Sequence, residues 1–90
     1  MSTRTSIVLT DVVDERHRQD MRWGQQDHSP IEWMAILMEE VGEVSKEVCE
    51  HHFQYKGDQK ERSLRMRKEL VQVAAVAVAM IESLDRNELK

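Results

Sequence analysis

The sequence predicts an all-α fold, and three observations carry that expectation. Charged residues make up 33 % of the chain against one proline and three glycines, a balance that suits helices. Apolar residues recur at three- and four-residue intervals, the period of one face of a helix. Two segments, Ser29-Pro30-Ile31-Glu32 and Asp58-Gln59-Lys60-Glu61, have the residues that open helices. Together these predict one domain, residues 11–90, after a tail at 1–10. Its three main helices fall at about 11–23, 30–52 and 59–85.

The first helix starts near Thr10 or Asp11, either of which can cap, and runs through VVDERHRQDMRW to Trp23. Gly24 stops it, because glycine tolerates the left-handed backbone that ends helices. The second start is the clearest signal in the chain. Ser29 caps, Pro30 occupies the first turn where its missing N–H costs nothing, and Glu32 completes a capping box. Trp33, Leu37, Val41, Val44 and Val48 then form an apolar stripe. Asp58 caps the third helix, with Glu61 three residues on. From Val71 to Ile81 that helix is apolar on every side except at Gln72. A helix apolar all round must be covered all round, and two shorter helices cannot do it. The expectation is therefore a homo-oligomer, a homodimer or homotetramer, that completes a four-helix-type core.

Composition removes several function classes. Net charge is −4 and no basic stripe runs unopposed, which argues against nucleic-acid binding. The longest apolar stretch falls far short of the roughly 20 residues needed to cross a bilayer. Cys49 stands alone, so neither a disulfide framework nor a cysteine zinc site is expected, and a cytoplasmic setting fits.

The chemistry lies in the carboxylates. Residues 36–44 read ILMEEVGEV, three glutamates in an otherwise apolar stretch. At 100° per residue, Glu40 lies within about 20° of the edge of the apolar stripe, and Glu43 lies one turn along on the same side. On the third helix Glu69 is flanked within about 20° by Val76 and Met80, with Gln72 three residues on. Carboxylates gathered in an apolar groove repel one another unless a cation neutralises them. Oxygen donors favour a hard ion such as Mg2+, with Mn2+ as a substitute. Arg62 and Arg65 share a face with Glu69 and are placed to clamp phosphates. Against this stands the reading that both the glutamates and the basic residues are solvated helix faces.

EEVGE at 39–43 followed by ELVQ at 69–72 resembles the paired EExxE and ExxD motifs of the MazG-like all-α NTP pyrophosphatase superfamily. RWGQQDHSP at 22–30 is similar to a W…Q…H…P segment that precedes the same helix in the dCTP-pyrophosphatase branch. FQYK at 53–56 is similar to an FQWK there, although it sits farther from EEVGE. The resemblance covers residues 11–85. It implies a Mg2+-dependent hydrolase that cleaves a nucleoside triphosphate to monophosphate and pyrophosphate. By position, Glu40, Glu43 and Glu69 become metal ligands with Gln72 beside them, and Glu39 an outer group or the water-activating base. Trp23 and His28 fall near the base pocket, with Tyr55 as a further candidate.

Gln72 is a departure, since the family motif has aspartate there. An amide oxygen still ligates Mg2+ but brings no charge. Weaker metal binding, replacement by another carboxylate such as Glu47, and loss of catalysis all remain open. The alternative expectation is a non-catalytic nucleotide-binding, metal-binding or oligomerisation module of the same fold.

Overall fold

Ser2 opens the first helix. Its hydroxyl accepts the Thr5 N–H at 3.1 Å and its carbonyl accepts the Ser6 N–H at 3.1 Å. The structure, a computed structural model, describes residues 2–53 and 57–89. Among these, every regular element is a helix: α1, Thr3–Trp23; α2, Pro30–Phe53; α3, Gln59–Asn87. The expected all-α architecture with three main helices is observed. Its first boundary is not, because α1 starts at Thr3 rather than at Asp11. The hydroxyls that read as loop residues are satisfied within the helix: Ser6 donates to the Ser2 carbonyl at 3.3 Å and Thr10 to the Ser6 carbonyl at 2.9 Å.

The remaining helix ends follow the sequence signals. Gly24 closes α1 at φ +73° and ψ −176°, donating its N–H to the Asp20 carbonyl at 2.8 Å. Only glycine visits that region without strain. Gly24→Ala is accordingly expected to cost about 1–3 kcal/mol, read as a lower denaturant midpoint; an unchanged midpoint contradicts the assignment. The Ser29–Glu32 capping box is present in both directions, Glu32 N–H to the Ser29 hydroxyl at 3.3 Å and Ser29 N–H to the Glu32 carboxylate at 2.9 Å. Asp58 caps α3 by accepting the Lys60 N–H at 2.9 Å.

Two contacts and one charge interaction fix the direction of α2 against α3. Trp33 packs with Val76 and Ala79, the charge of Glu69 reaches Glu40, and Glu47 pairs with Arg65 at 3.6 Å. Rising numbers on one helix meet falling numbers on the other, so the two run antiparallel. On its other flank α3 holds α1 through Asp11–Arg67 at 2.6 Å and Arg16–Glu82 at 2.9 Å. α1 and α2 themselves do not meet: none of their described Cα atoms approach within 8 Å. α3 is therefore the floor of a groove whose walls are α1 and α2.

The core inside one chain is small. Val12, Trp33, Ala75, Val76 and Ala79 are its buried apolar residues, with Ile36, Leu37 and Met80 packed around Trp33. Trp33 is 2 % exposed and is the largest of them, as expected from its place in the α2 stripe. The apolar stretch of α3 is not covered all round, since Leu70, Val78 and Ile81 remain exposed.

Candidate functional site

The groove between α1 and α2 has a volume of about 840 Å³. α2 contributes Glu39 and Glu40 to its wall, α3 contributes Lys68 and Gln72, and Trp23 stands near the end of α1. Spacing explains the α2 contribution. The residues that meet α3 follow Trp33 at intervals of three and four, and Glu40 falls on that stripe while Glu39 lies one residue toward the open side.

Glu40 is the electrostatic centre of the site. It is half-buried, and its carboxyl titrates above the usual value, first because burial disfavours the charged form. The charges of Glu69, Glu39, Glu43 and Glu15 push it further in the same direction, in that order. Carboxylates from all three helices thus act on one side chain. Across the α2–α3 pair, Glu69 acts on Glu40 through its charge.

Glu15 was not among the residues singled out by sequence. It is 9 % exposed, lies on the groove wall and accepts a hydrogen bond from Arg18 Nε at 2.8 Å. A signal for it does exist: Val8, Val12, Glu15 and Gln19 repeat at intervals of four, three and four. This is the criterion of a carboxylate within an apolar stripe that marked Glu69. Starting the helix at Asp11 cut that stripe short and hid it.

The other expected site residues are more scattered. Glu43 is exposed and Glu69 half-buried, and neither lines the groove wall, although both act on Glu40 through their charge. His28 is half-buried, edge-on to Trp33 at 4.9 Å, and its Nε2 is enclosed with no hydrogen-bond partner among the described residues. Trp23 is exposed beside the groove with the Arg22 guanidinium 4.8 Å from its ring centre. Arg65 pairs with Glu47, and neither it nor Arg62 lines the groove. Glu47, the carboxylate considered as a substitute near Gln72, is thus already engaged. Tyr55 lies outside the described residues.

Basic side chains reach the groove from α1, at Arg16 and Arg18, and from Lys68 in the basic run before Glu69. Arg16 is committed to Glu82 and Asp20, and Arg18 to Glu15. Lys68 has no ion pair among the described residues and lies on the same wall as Gln72. The groove therefore combines an acidic side, a lysine and an exposed indole.

The donor set suits a hard cation, because Glu39, Glu40 and Glu69 offer carboxylate oxygens and Gln72 an amide oxygen. Burial first, and the neighbouring carboxylate charges after it, raise the affinity of Glu40 for a proton. As the side chains stand, no group of three or more His, Cys, Asp or Glu among the described residues is close enough to hold a metal ion.

The loop between α1 and α2 is tied to the far end of α3. Asp27 accepts from Arg86 Nη2 at 2.9 Å, from Asn87 Nδ2 at 2.9 Å and from Gln25 Nε2 at 3.1 Å. The hydrogen bonds from Asn87, Gln25 and Arg86 bring the Asp27 carboxyl down to about 2. A carboxyl depressed in the fold stabilises it while ionised, so its contribution is complete above the unfolded value of about 3.9. That contribution is lost as pH falls toward 2. Asp27→Asn is expected to flatten this part of the acid-stability profile. Parallel profiles for the two proteins between pH 5 and 2 contradict the latch.

Comparison with protein-family models, with curated proteins and with solved structures finds no match to this chain.

Proposed function

We propose that this chain is a Mg2+-dependent nucleoside triphosphate pyrophosphohydrolase, converting a (d)NTP and water to a (d)NMP and pyrophosphate. The observation that carries this reading is Glu40: half-buried on a groove wall, with burial and four other carboxylates from three helices all opposing its ionisation. An uncompensated carboxylate of this kind is costly to the fold and points to a cationic occupant. Glu40, Glu43, Glu69 and Gln72 would hold Mg2+, or Mn2+ in its place. Bound there, the ion neutralises phosphate charge and lowers the pKa of a coordinated water.

The chain's own groups have the remaining tasks. Glu39, exposed and on the groove wall, accepts the proton of the attacking water. The water oxygen bonds to the α-phosphorus in line with the bridging oxygen that leaves, and that P–O bond breaks to release pyrophosphate. Lys68 offsets charge on the departing phosphates. The indole of Trp23 provides a stacking face for the base, with His28 at the neighbouring turn. The setting proposed is cytoplasmic, with the subunit working as a homo-oligomer.

A second reading, a non-catalytic nucleotide- or metal-binding module, is favoured by one observation: Gln72 occupies the groove wall where the resemblance expects a carboxylate. A thermal-unfolding titration separates these readings from a ligand-free bundle. Binding to the folded state raises Tm by mass action. Mg2+ with a non-hydrolysable nucleotide is expected to raise Tm. No shift with Mg2+, nucleotide or both leaves only the oligomerisation bundle.

A further inference from the structure

The loop between α1 and α2, residues 24–29, reads Gly-Gln-Gln-Asp-His-Ser and contains no apolar side chain. None of residues 23–27 is buried. α1 and α2 do not meet, so this loop is the chain that joins the two walls of the groove. Trp23, Gly24, Gln25 and Gln26 line the groove where it passes. An exposed polar segment of this kind has little apolar burial to hold it still. What holds this one is a set of hydrogen bonds from α3.

Two residues in the last turn of α3 grip the loop at two points. Arg86 donates from Nε and Nη2 to one carboxylate oxygen of Asp27, at 3.2 and 2.9 Å, and from Nη2 to the Gln26 carbonyl at 3.2 Å. Asn87 donates to the same Asp27 oxygen at 2.9 Å and to the Ser83 carbonyl at 3.0 Å. Ser83 is 2 % exposed, so the Asn87 amide is itself anchored on a buried position of α3. The second Asp27 oxygen accepts from Gln25 Nε2 at 3.1 Å. One grip is on the backbone and the next is on the neighbouring side chain, so both the path and the orientation of the loop are set.

A stacking face needs that restraint. Trp23 ends α1 and is 55 % exposed, with the Arg22 guanidinium 4.8 Å from its ring centre. Gly24 follows it at φ +73°, a backbone state open to glycine and a ready pivot. Helix ends fray, and a base that stacks on a frayed turn must order it first, which weakens binding. A loop pinned at Gln26 and Asp27 removes that cost before the ligand arrives. The same rigid helix has Lys68 and Gln72 on the groove wall and Arg86 at its other end, so one element registers both ends of the groove.

We infer that Arg86 and Asn87 are positioning residues for the nucleoside end of the groove: by gripping Gln26 and Asp27 they hold the Trp23 turn where a base stacks, without touching the ligand. This role rests on the nucleotide reading proposed above.

The test compares the full wild-type chain with Arg86→Ala, Asp27→Ala and the double variant. With Mg2+ present, calorimetry follows binding of the α,β-methylene analogues of the nucleoside triphosphates and, separately, of inorganic tripolyphosphate, which has no base. Each single variant is expected to bind the analogue preferred by the wild type about tenfold more weakly. The double variant is expected to bind no more weakly than either, because both changes break one latch. Tripolyphosphate affinity is expected to keep its wild-type value. In ligand-free protein labelled with 5-fluorotryptophan, the Trp23 resonance should move or broaden in Arg86→Ala while that of the buried Trp33 stays. An unmoved Trp23 resonance, an unchanged analogue affinity, or an equal loss of tripolyphosphate binding overturns the inference and leaves the hydrolase reading standing. A wild type that binds no analogue overturns the hydrolase reading, and this role with it.

Discussion

Glu40→Gln is expected to cut pyrophosphate release sharply while making the metal-free protein harder to unfold. The change keeps the shape of the side chain and removes its charge. In the folded chain, burial and then Glu69, Glu39, Glu43 and Glu15 raise the Glu40 carboxyl above its ordinary value of 4.5. A carboxyl raised in the fold favours the protonated state, so its effect on stability is most favourable below the unfolded pKa. The fold loses stability as pH rises through the folded-state pKa. Above the folded-state pKa the wild type bears that penalty and the glutamine variant does not. The two proteins should have the same Tm below about pH 4 and diverge above it, with the variant the more stable. Added Mg2+ should stabilise the wild type and reduce or reverse the difference. In turnover the loss should be on the order of 10²–10³-fold, the scale of removing one electrostatic stabiliser of a transition state. A variant that is less stable than wild type at pH 7 without metal contradicts the placement of Glu40.

Trp33→Ala is expected to be the most damaging single truncation. Trp33 is 2 % exposed, and Val76, Ala79, Ile36, Leu37 and Met80 surround it. Emptying such a site costs about 3–5 kcal/mol, a large part of the roughly 5–15 kcal/mol by which a domain is folded. The loss would fall on the α2–α3 contact that also brings Glu40 toward Glu69. Chemical unfolding followed by circular dichroism checks it. A loss below about 1 kcal/mol means that Trp33 is not the keystone of this core. The same variant should lose Mg2+-induced stabilisation even where helix content survives, because the floor and wall of the groove would no longer be held in register.

What the sequence made legible follows from where each signal is local. The Ser29–Pro30–Glu32 start of α2 was readable because a capping box is completed within four residues. Gly24 was readable for the same reason. The start of α1 was not, because Ser6 and Thr10 satisfy their hydroxyls on the preceding turn, and polar residues that do so look like loop residues in a sequence. Helical angle singles out Glu40 at the edge of the apolar stripe of its helix and Glu69 inside an apolar arc of its own. Glu15 shares its face with Val8 and Val12, and the start of the helix at Asp11 left Val8 out of that pattern.

The groove itself was less legible. It exists because α3 lies between α1 and α2 and keeps them apart, and the pitch of one helix carries no information about its neighbours. For that reason the basic run before Glu69 divides between the two sides of α3 in a way its sequence does not show. Arg65 seemed placed for phosphate, yet it pairs with Glu47 on the α2 side of α3, while Lys68 reaches the groove wall three residues later. The covering of the apolar stretch of α3 was legible as a need. Which face stays open became clear only once α1 and α2 had taken the other two.

The most direct test of the central claim is a product assay. Purified wild-type protein and Glu40→Gln are incubated with Mg2+ and each canonical deoxynucleoside and ribonucleoside triphosphate. Pyrophosphate, orthophosphate and nucleoside monophosphate are measured side by side. The account predicts equimolar pyrophosphate and monophosphate from at least one nucleotide, dependent on the metal and cut sharply in the variant. Pyrophosphate at background from every nucleotide, orthophosphate as the primary product, or an equally active Glu40→Gln would contradict it.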